Sequence, residues 1–114
     1  MALLRGASTT FERIGDTRSR AVTMGKIADI LTQQGQVVEA LSLWLEALPV
    51  FESIQEPFSI GFAAIRIAQL QHFADEDSAA RISLDKAESA FSSVDNADGV
   101  AACQKLRRAW FEER

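Results

Sequence analysis

Tyrosine is absent from the chain, and cysteine and histidine occur once each, as Cys103 and His72. A lone cysteine excludes an internal disulfide and agrees with a reducing compartment, so the sequence reads as cytoplasmic. With no second thiol to resolve it, Cys103 reads as a small buried hydrophobe and not as a redox or nucleophilic centre. No apolar run approaches the roughly 18 residues of a membrane span, and no signal-peptide pattern is present, so no membrane partner is expected. The six glycines are scattered, which excludes a glycine-rich phosphate loop. A basic excess is also missing: 12 Lys and Arg against 16 Asp and Glu give a net charge of −4. That balance argues against nucleic acid, whose phosphates need a basic face. The small cluster Arg13, Arg18 and Arg20 reads as solvated arginines at helix ends.

Enzymatic readings fare no better. His72 precedes Asp75, Glu76 and Asp77, a grouping that invites a metal, but these carboxylates straddle a turn where they serve as helix caps. Carboxylate pairs such as Glu39 with Glu46 fall on solvated faces, without an enclosed site for acid–base chemistry. No catalytic residue, cofactor or metal is therefore expected.

What is present is helical. Ala, Leu, Glu, Gln and Arg are plentiful, strand-type alternation is missing, and apolar residues recur at Ile27, Ile30, Leu31 and at Val37, Ala40, Leu41, Trp44, Ala47, Leu48. Asp16 or Thr17 is positioned to cap one helix, Gly35 to end it, Pro57 to open another, and Asp75 to Ser78 and Asn96 to cap two more. The reading is all-α, with six segments at about 2–14, 17–34, 37–55, 57–73, 77–94 and 97–113. Pro49 lies within the third and predicts a kink there instead of a break.

The stretch FERIGD from Phe11 returns as FESIQE from Phe51 and FSSVDN from Phe91, an interval of 40 residues. The same shift aligns Leu4 with Trp44 and Leu84, Ala7 with Ala47 and Ala87, Ala40 with Ala80, Ile27 with Ile67 and Ala28 with Ala68. Recurring small residues predict helices that approach closely at fixed points, and such a period predicts stacked helical hairpins. The pattern resembles the tetratricopeptide repeat family in its longer, about 40-residue variety. Met24, Ile27, Ala28, Leu31, Gly35, Ala40, Trp44 and Ala47 carry the resemblance in one unit. Ala64, Ile67, Ala68, Gln71, Asp75, Ala80, Leu84 and Ala87 carry it in the next. Cys103, Leu106, Arg107 and Trp110 fit the first-helix pattern after one deletion in the preceding turn. The implied architecture is one domain, 1–114: a right-handed stack of antiparallel helical hairpins, about six helices. It divides into a leading half unit (1–16), two full units (17–56 and 57–96) and a terminal helix (97–114).

The resemblance implies a protein-interaction module holding a peptide or helix of a partner protein on a concave surface. Family groove positions carry over to Val22, Gly25, Asp29, Thr32 and Gln33, to Phe62, Ile65, Gln69, His72 and Phe73, and to Gln104, Arg108 and Glu112. From these the expected partner-binding set is Asp29, Thr32, Gln33, Phe62, Ile65, Gln69, His72 and Arg108. The lysines and asparagines with which some members grip a C-terminal carboxylate are missing, since Gly25, Asp29, Ile65 and Gln69 stand there. PFSIGFAAIRIAQLQHF is apolar on nearly every side, as expected of a central helix covered by both neighbours. Phe62 and Ile65 are left over, either covered by stack curvature or an end helix or serving as anchors for an apolar partner. The alternatives are a self-associating assembly segment forming a homo-oligomer, or a regulatory repeat segment of a larger signalling or transcription protein.

Overall fold

The turns set the period of the molecule. In the computed structural model, which describes the backbone of residues 2–112 and the side chains of residues 15–112, four three-residue turns share one conformation. The middle residue of each has positive φ: Gly35 at 79°, Gln55 at 56°, Asp75 at 62° and Asp95 at 53°. That residue's N–H donates three residues back, from Gly35 to Thr32 at 3.0 Å and from Asp75 to His72 at 3.0 Å. The next N–H donates five residues back, from Gln36 to Leu31, Glu56 to Phe51, Glu76 to Gln71 and Asn96 to Phe91. These paired bonds satisfy the carbonyls left open at a helix end. The residue making the second bond is also the N-cap of the following helix, so no residue is spent on a longer loop. Only Asn96 caps with its side chain, accepting from the Gly99 N–H at 2.9 Å. Successive turns are 20 residues apart, and the 40-residue echo is two of these steps.

Between the turns lie α1 (Ala2–Gln33), α2 (Val37–Ser53), α3 (Pro57–Phe73), α4 (Asp77–Ser93) and α5 (Ala97–Arg107), followed by a π-helical turn, Arg108–Glu112. The chain is all-α, with no strand among the described residues. Where the sequence suggests six segments there are five helices, because α1 runs straight through the expected boundary and Asp16 and Thr17 cap nothing. Gly15, Asp16 and Thr17 are exposed, and no atom lies within 4 Å of where a Gly15 Cβ would stand, so no neighbour compels a turn there. A continuous helix keeps all its internal hydrogen bonds. The last expected segment is likewise divided, its final turn widening after Arg107. α2 continues unbroken across the exposed Pro49.

Each helix packs against the next in sequence. α3 has two buried faces: Ala63, Ile67 and Leu70 join α1 and α2 in one apolar cluster, while Ala64 and Ala68 join Leu84, Ala87, Phe91 and Cys103 in a second. This two-sided coverage explains why α3 lacks a polar stripe. Helices one apart also meet, through Asp29 with Arg66 from α1 to α3 and Glu52 with Lys86 from α2 to α4. The molecule measures 64 × 33 × 20 Å with a radius of gyration of 16.1 Å, against about 13 Å for a compact domain of this length. The 32-residue α1, roughly 48 Å long, contributes to that elongation.

Close approach is fixed by small residues. Ala21, Ala28, Ala40, Ala47, Ala63, Ala64, Ala68, Ala80 and Ala87 are all fully buried. A Cβ on Gly61 would stand 2.7 Å from the Phe91 ring, and one on Gly25 2.7 Å from the Trp44 ring. Gly61→Val should therefore lower stability by about 1–3 kcal/mol through overpacking. Gln55→Gly should raise it by about 1 kcal/mol, by relieving a left-handed non-glycine residue. Urea denaturation of both variants checks the two signs.

Candidate functional site

α1 and α3 lie side by side over α2, and the space between them is floored by Trp44. Its indole is buried because Gly25 admits the ring against the α1 backbone, and Phe62 approaches with its centroid 5.9 Å away. Two adjoining clefts share Trp44 and Asp29. One, of about 300 Å³, is lined mainly by apolar groups, among them Val22, Phe51, Phe58 and Phe62. The other, of about 450 Å³, is more polar, with Thr32, Gln33, Arg66 and Gln69 beside Leu70 and Phe73. Phe58 is 58% exposed, Phe62 37% and Phe73 76%, so aromatic surface faces solvent along the whole furrow.

Arg66 marks the boundary between the clefts. Its Nε lies 3.6 Å from Asp29 Oδ1, its Nη1 donates to Gln69 Oε1 at 3.1 Å, and its guanidinium carbon is 5.0 Å from the Phe62 ring centre. The Nε1–H of Trp44 is a buried donor without a protein acceptor, and the Nε–H of Arg66 makes no hydrogen bond beyond its ion pair with Asp29. Both nitrogens are closed to solvent, so the polar groups presented to the larger cleft are those of Asp29, Thr32, Gln33, Gln69 and the rest of the Arg66 guanidinium. The arrangement offers apolar contact at one end and hydrogen bonds in the middle.

Of the residues expected from the sequence, Asp29, Thr32, Gln33 and Gln69 line the larger cleft and Phe62 the smaller one. Ile65 lies elsewhere, half-buried against the second cluster beside Val100, Leu106, Trp110 and Phe111. His72 is covered by the turn after α5: its ring stacks on Trp110 at 4.3 Å and 17°, and its Nδ1 lies 3.0 Å from Asp77 Oδ1. Arg108 opens that turn and is exposed. The widened turn brings Trp110 and Phe111 over the end of α3, with Arg81 stacked on Phe111 at 4.1 Å. Trp44, Phe58 and Arg66 were not among the expected residues. Arg66 had a legible signal, being the one fixed positive charge in an otherwise apolar helix.

Arg107 reaches back to α4, donating to Glu88 at 2.6 Å and Asp85 at 2.7 Å, which hold its guanidinium protonated more firmly than usual. Among the described residues, no group of three or more His, Cys, Asp or Glu side chains converges as a metal site. No described helix is long and apolar enough to cross a membrane. Cys103 is fully buried, and burial first, with the Glu88 charge second, pushes its thiol up to about 11. No family model matches the chain, and neither a characterised protein nor a solved structure matches it.

Only the thiolate attacks, so native Cys103 at pH 8 should react with a chromogenic disulfide at least tenfold more slowly than in 8 M urea. Equal rates in the two conditions would contradict the burial.

Proposed function

We propose that the chain is a tetratricopeptide-like, right-handed stack of helical hairpins, and that it binds a peptide or helix of a partner protein in the furrow between α1 and α3. The observation that carries this reading is the pairing, in one open furrow, of exposed aromatic surface at Phe58 and Phe62 with the polar groups of Thr32, Gln33, Arg66 and Gln69. An apolar side chain of the partner seats among Val22, Phe58 and Phe62. Its backbone groups meet the polar lining of the larger cleft, Asp29, Thr32, Gln33, Arg66 and Gln69. The 40-residue recurrence, the shared turn geometry and the buried alanines support the stacked architecture.

Magnitudes favour a segment that uses both ends of the furrow. Burying an aromatic or aliphatic anchor yields about 1.5–3 kcal/mol. Association costs about 4–15 kcal/mol in lost freedom, so apolar anchors alone hold nothing firmly. Hydrogen bonds at the Arg66 junction supply direction and the remaining affinity. The furrow is open along its length and encloses no acid–base pair, which favours recognition over catalysis.

Panning a random peptide library against the protein should enrich sequences with one or two large apolar residues. Phe62→Asp should weaken their binding at least tenfold with an unchanged circular dichroism spectrum. Ile82→Asp, at an exposed position on α4, should leave binding intact. Failure to enrich any peptide, or enrichment indifferent to Phe62→Asp, overturns the proposal.

A further inference from the structure

α1 and α3 carry the same two apolar faces, but only α3 has both covered. The face that α3 turns to α2 consists of Ala63, Ile67 and Leu70, exposed by 0%, 1% and 5%. A shift of 40 residues places Thr23, Ile27 and Ile30 on the matching face of α1, where Ile27 is 45% and Ile30 52% exposed. Arg20 stands where α3 has Ile60, so this seam is apolar over its last two turns.

The helix that would cover such a seam is present in the same chain. α2 covers α3 with Trp44, Ala47 and Phe51, and α4 repeats the set as Leu84, Ala87 and Phe91, all at most 4% exposed. The first half of α1 has this set at the same interval: Leu4, Ala7 and Phe11. Between that half and the seam, the turn code recurs as well. The left-handed positions are 35, 55, 75 and 95, and one step of 20 earlier stands Gly15, the residue type to which that conformation costs least. Ile14 and Asp16 flank it as Ile54 and Glu56 flank Gln55.

We infer that α1 has a second arrangement in which residues 2–13 fold back through a turn at 14–16 and lie antiparallel across Thr23, Ile27 and Ile30 of the same chain. The turn has the geometry of the four already present, and three residues suffice for it. The tether keeps the covering helix at high local concentration. A second copy is the less suitable occupant: on a straight helix, positions 4 and 27 are roughly 140° apart by register, so two straight α1 helices side by side do not bring both stripes into contact. Closure completes a third hairpin, the number at which stacked repeats become stable. It uses the outer side of α1 and leaves the furrow open.

Cysteines at Ala7 and Thr23 test the arrangement in the full chain, because the matching positions Ala47 and Ala63 stand equally far from the turn at Gln55 and are buried in one cluster. On straight α1 the two positions are roughly 24 Å apart, and a disulfide needs Cα atoms within about 7 Å. Mild oxidation of A7C/T23C should give an intramolecular disulfide in the monomer, identified by mass and peptide mapping. Native Cys103, being buried, should stay reduced. Adding Gly15→Val should slow cross-linking at least tenfold without loss of helicity, since a β-branched residue resists the left-handed turn. Free thiols after oxidation, cross-linking only between chains, or a rate indifferent to Gly15→Val each overturn the inference.

Discussion

Close approach of helix backbones at alanine and glycine is the constraint on which the rest of the structure depends. An alanine buries little apolar area, so its value here is distance. With Ala28, Ala40, Ala68 and Ala80 fully buried, neighbouring helices come close enough for larger side chains to fill the space beside each contact. Trp44, Phe51, Ile67, Leu84 and Phe91 do the filling. The furrow inherits its floor from the same rule: Trp44 lies flat beneath it because position 25 has no side chain.

Among the described residues, no polar or charged side chain is buried as a whole, so the core is apolar and its charges are peripheral. Arg18 with Glu56, Lys86 with Glu52, and Arg107 with Glu88 and Asp85 each join different helices across exposed surface. Exposed pairs contribute about 0–1 kcal/mol each. Their role is therefore one of register more than of stability. Asp29 with Arg66 links α1 to α3, and Arg18 with Glu56 links α1 to the N-cap residue of α3, so charge ties the two walls of the furrow together.

Helix periodicity was legible because it depends on spacing alone: α2, α3 and α4 fall within two residues of the expected segments. The apolar α3 also announced its two covered faces. The uninterrupted α1 was not legible, because Gly15, Asp16 and Thr17 are the residues a turn would use, and only the absence of a packed neighbour leaves them helical. Part of the cleft lining was legible through the family resemblance, since Asp29, Thr32, Gln33, Phe62 and Gln69 are groove positions carried over onto α1 and α3. Its floor was not, because Trp44 reads as core on α2 and becomes furrow only where Gly25 lets its ring through. The cover on His72 was not legible for a different reason: a π-helical turn redirects Trp110 and Phe111, and helical spacing does not foretell a change of winding. Cover of Ile65 by the end of the chain was one of the two outcomes its sequence left open.

A periodic code meets a non-periodic environment at the two ends of the stack, and the two ends respond differently. Beyond α5 the chain widens its last turn and lays Trp110 on His72, so the end of α3 is covered by two aromatic rings in place of a further hairpin. Such a cover is cheap in residues because aromatic faces bury much area from few positions. At α1 no described side chain gives a comparable cover on the outer side, and Ile27 and Ile30 remain exposed although their counterparts Ile67 and Leu70 are buried. Ile27 and Ile67, identical side chains, thus have opposite environments, and the difference lies in the neighbour and not in the code. Exposed apolar surface on a helix that is otherwise part of a packed array tends toward cover. The inferred fold-back at Gly15 would bring Leu4, Ala7 and Phe11 of the same chain over this surface and supply the cover in cis.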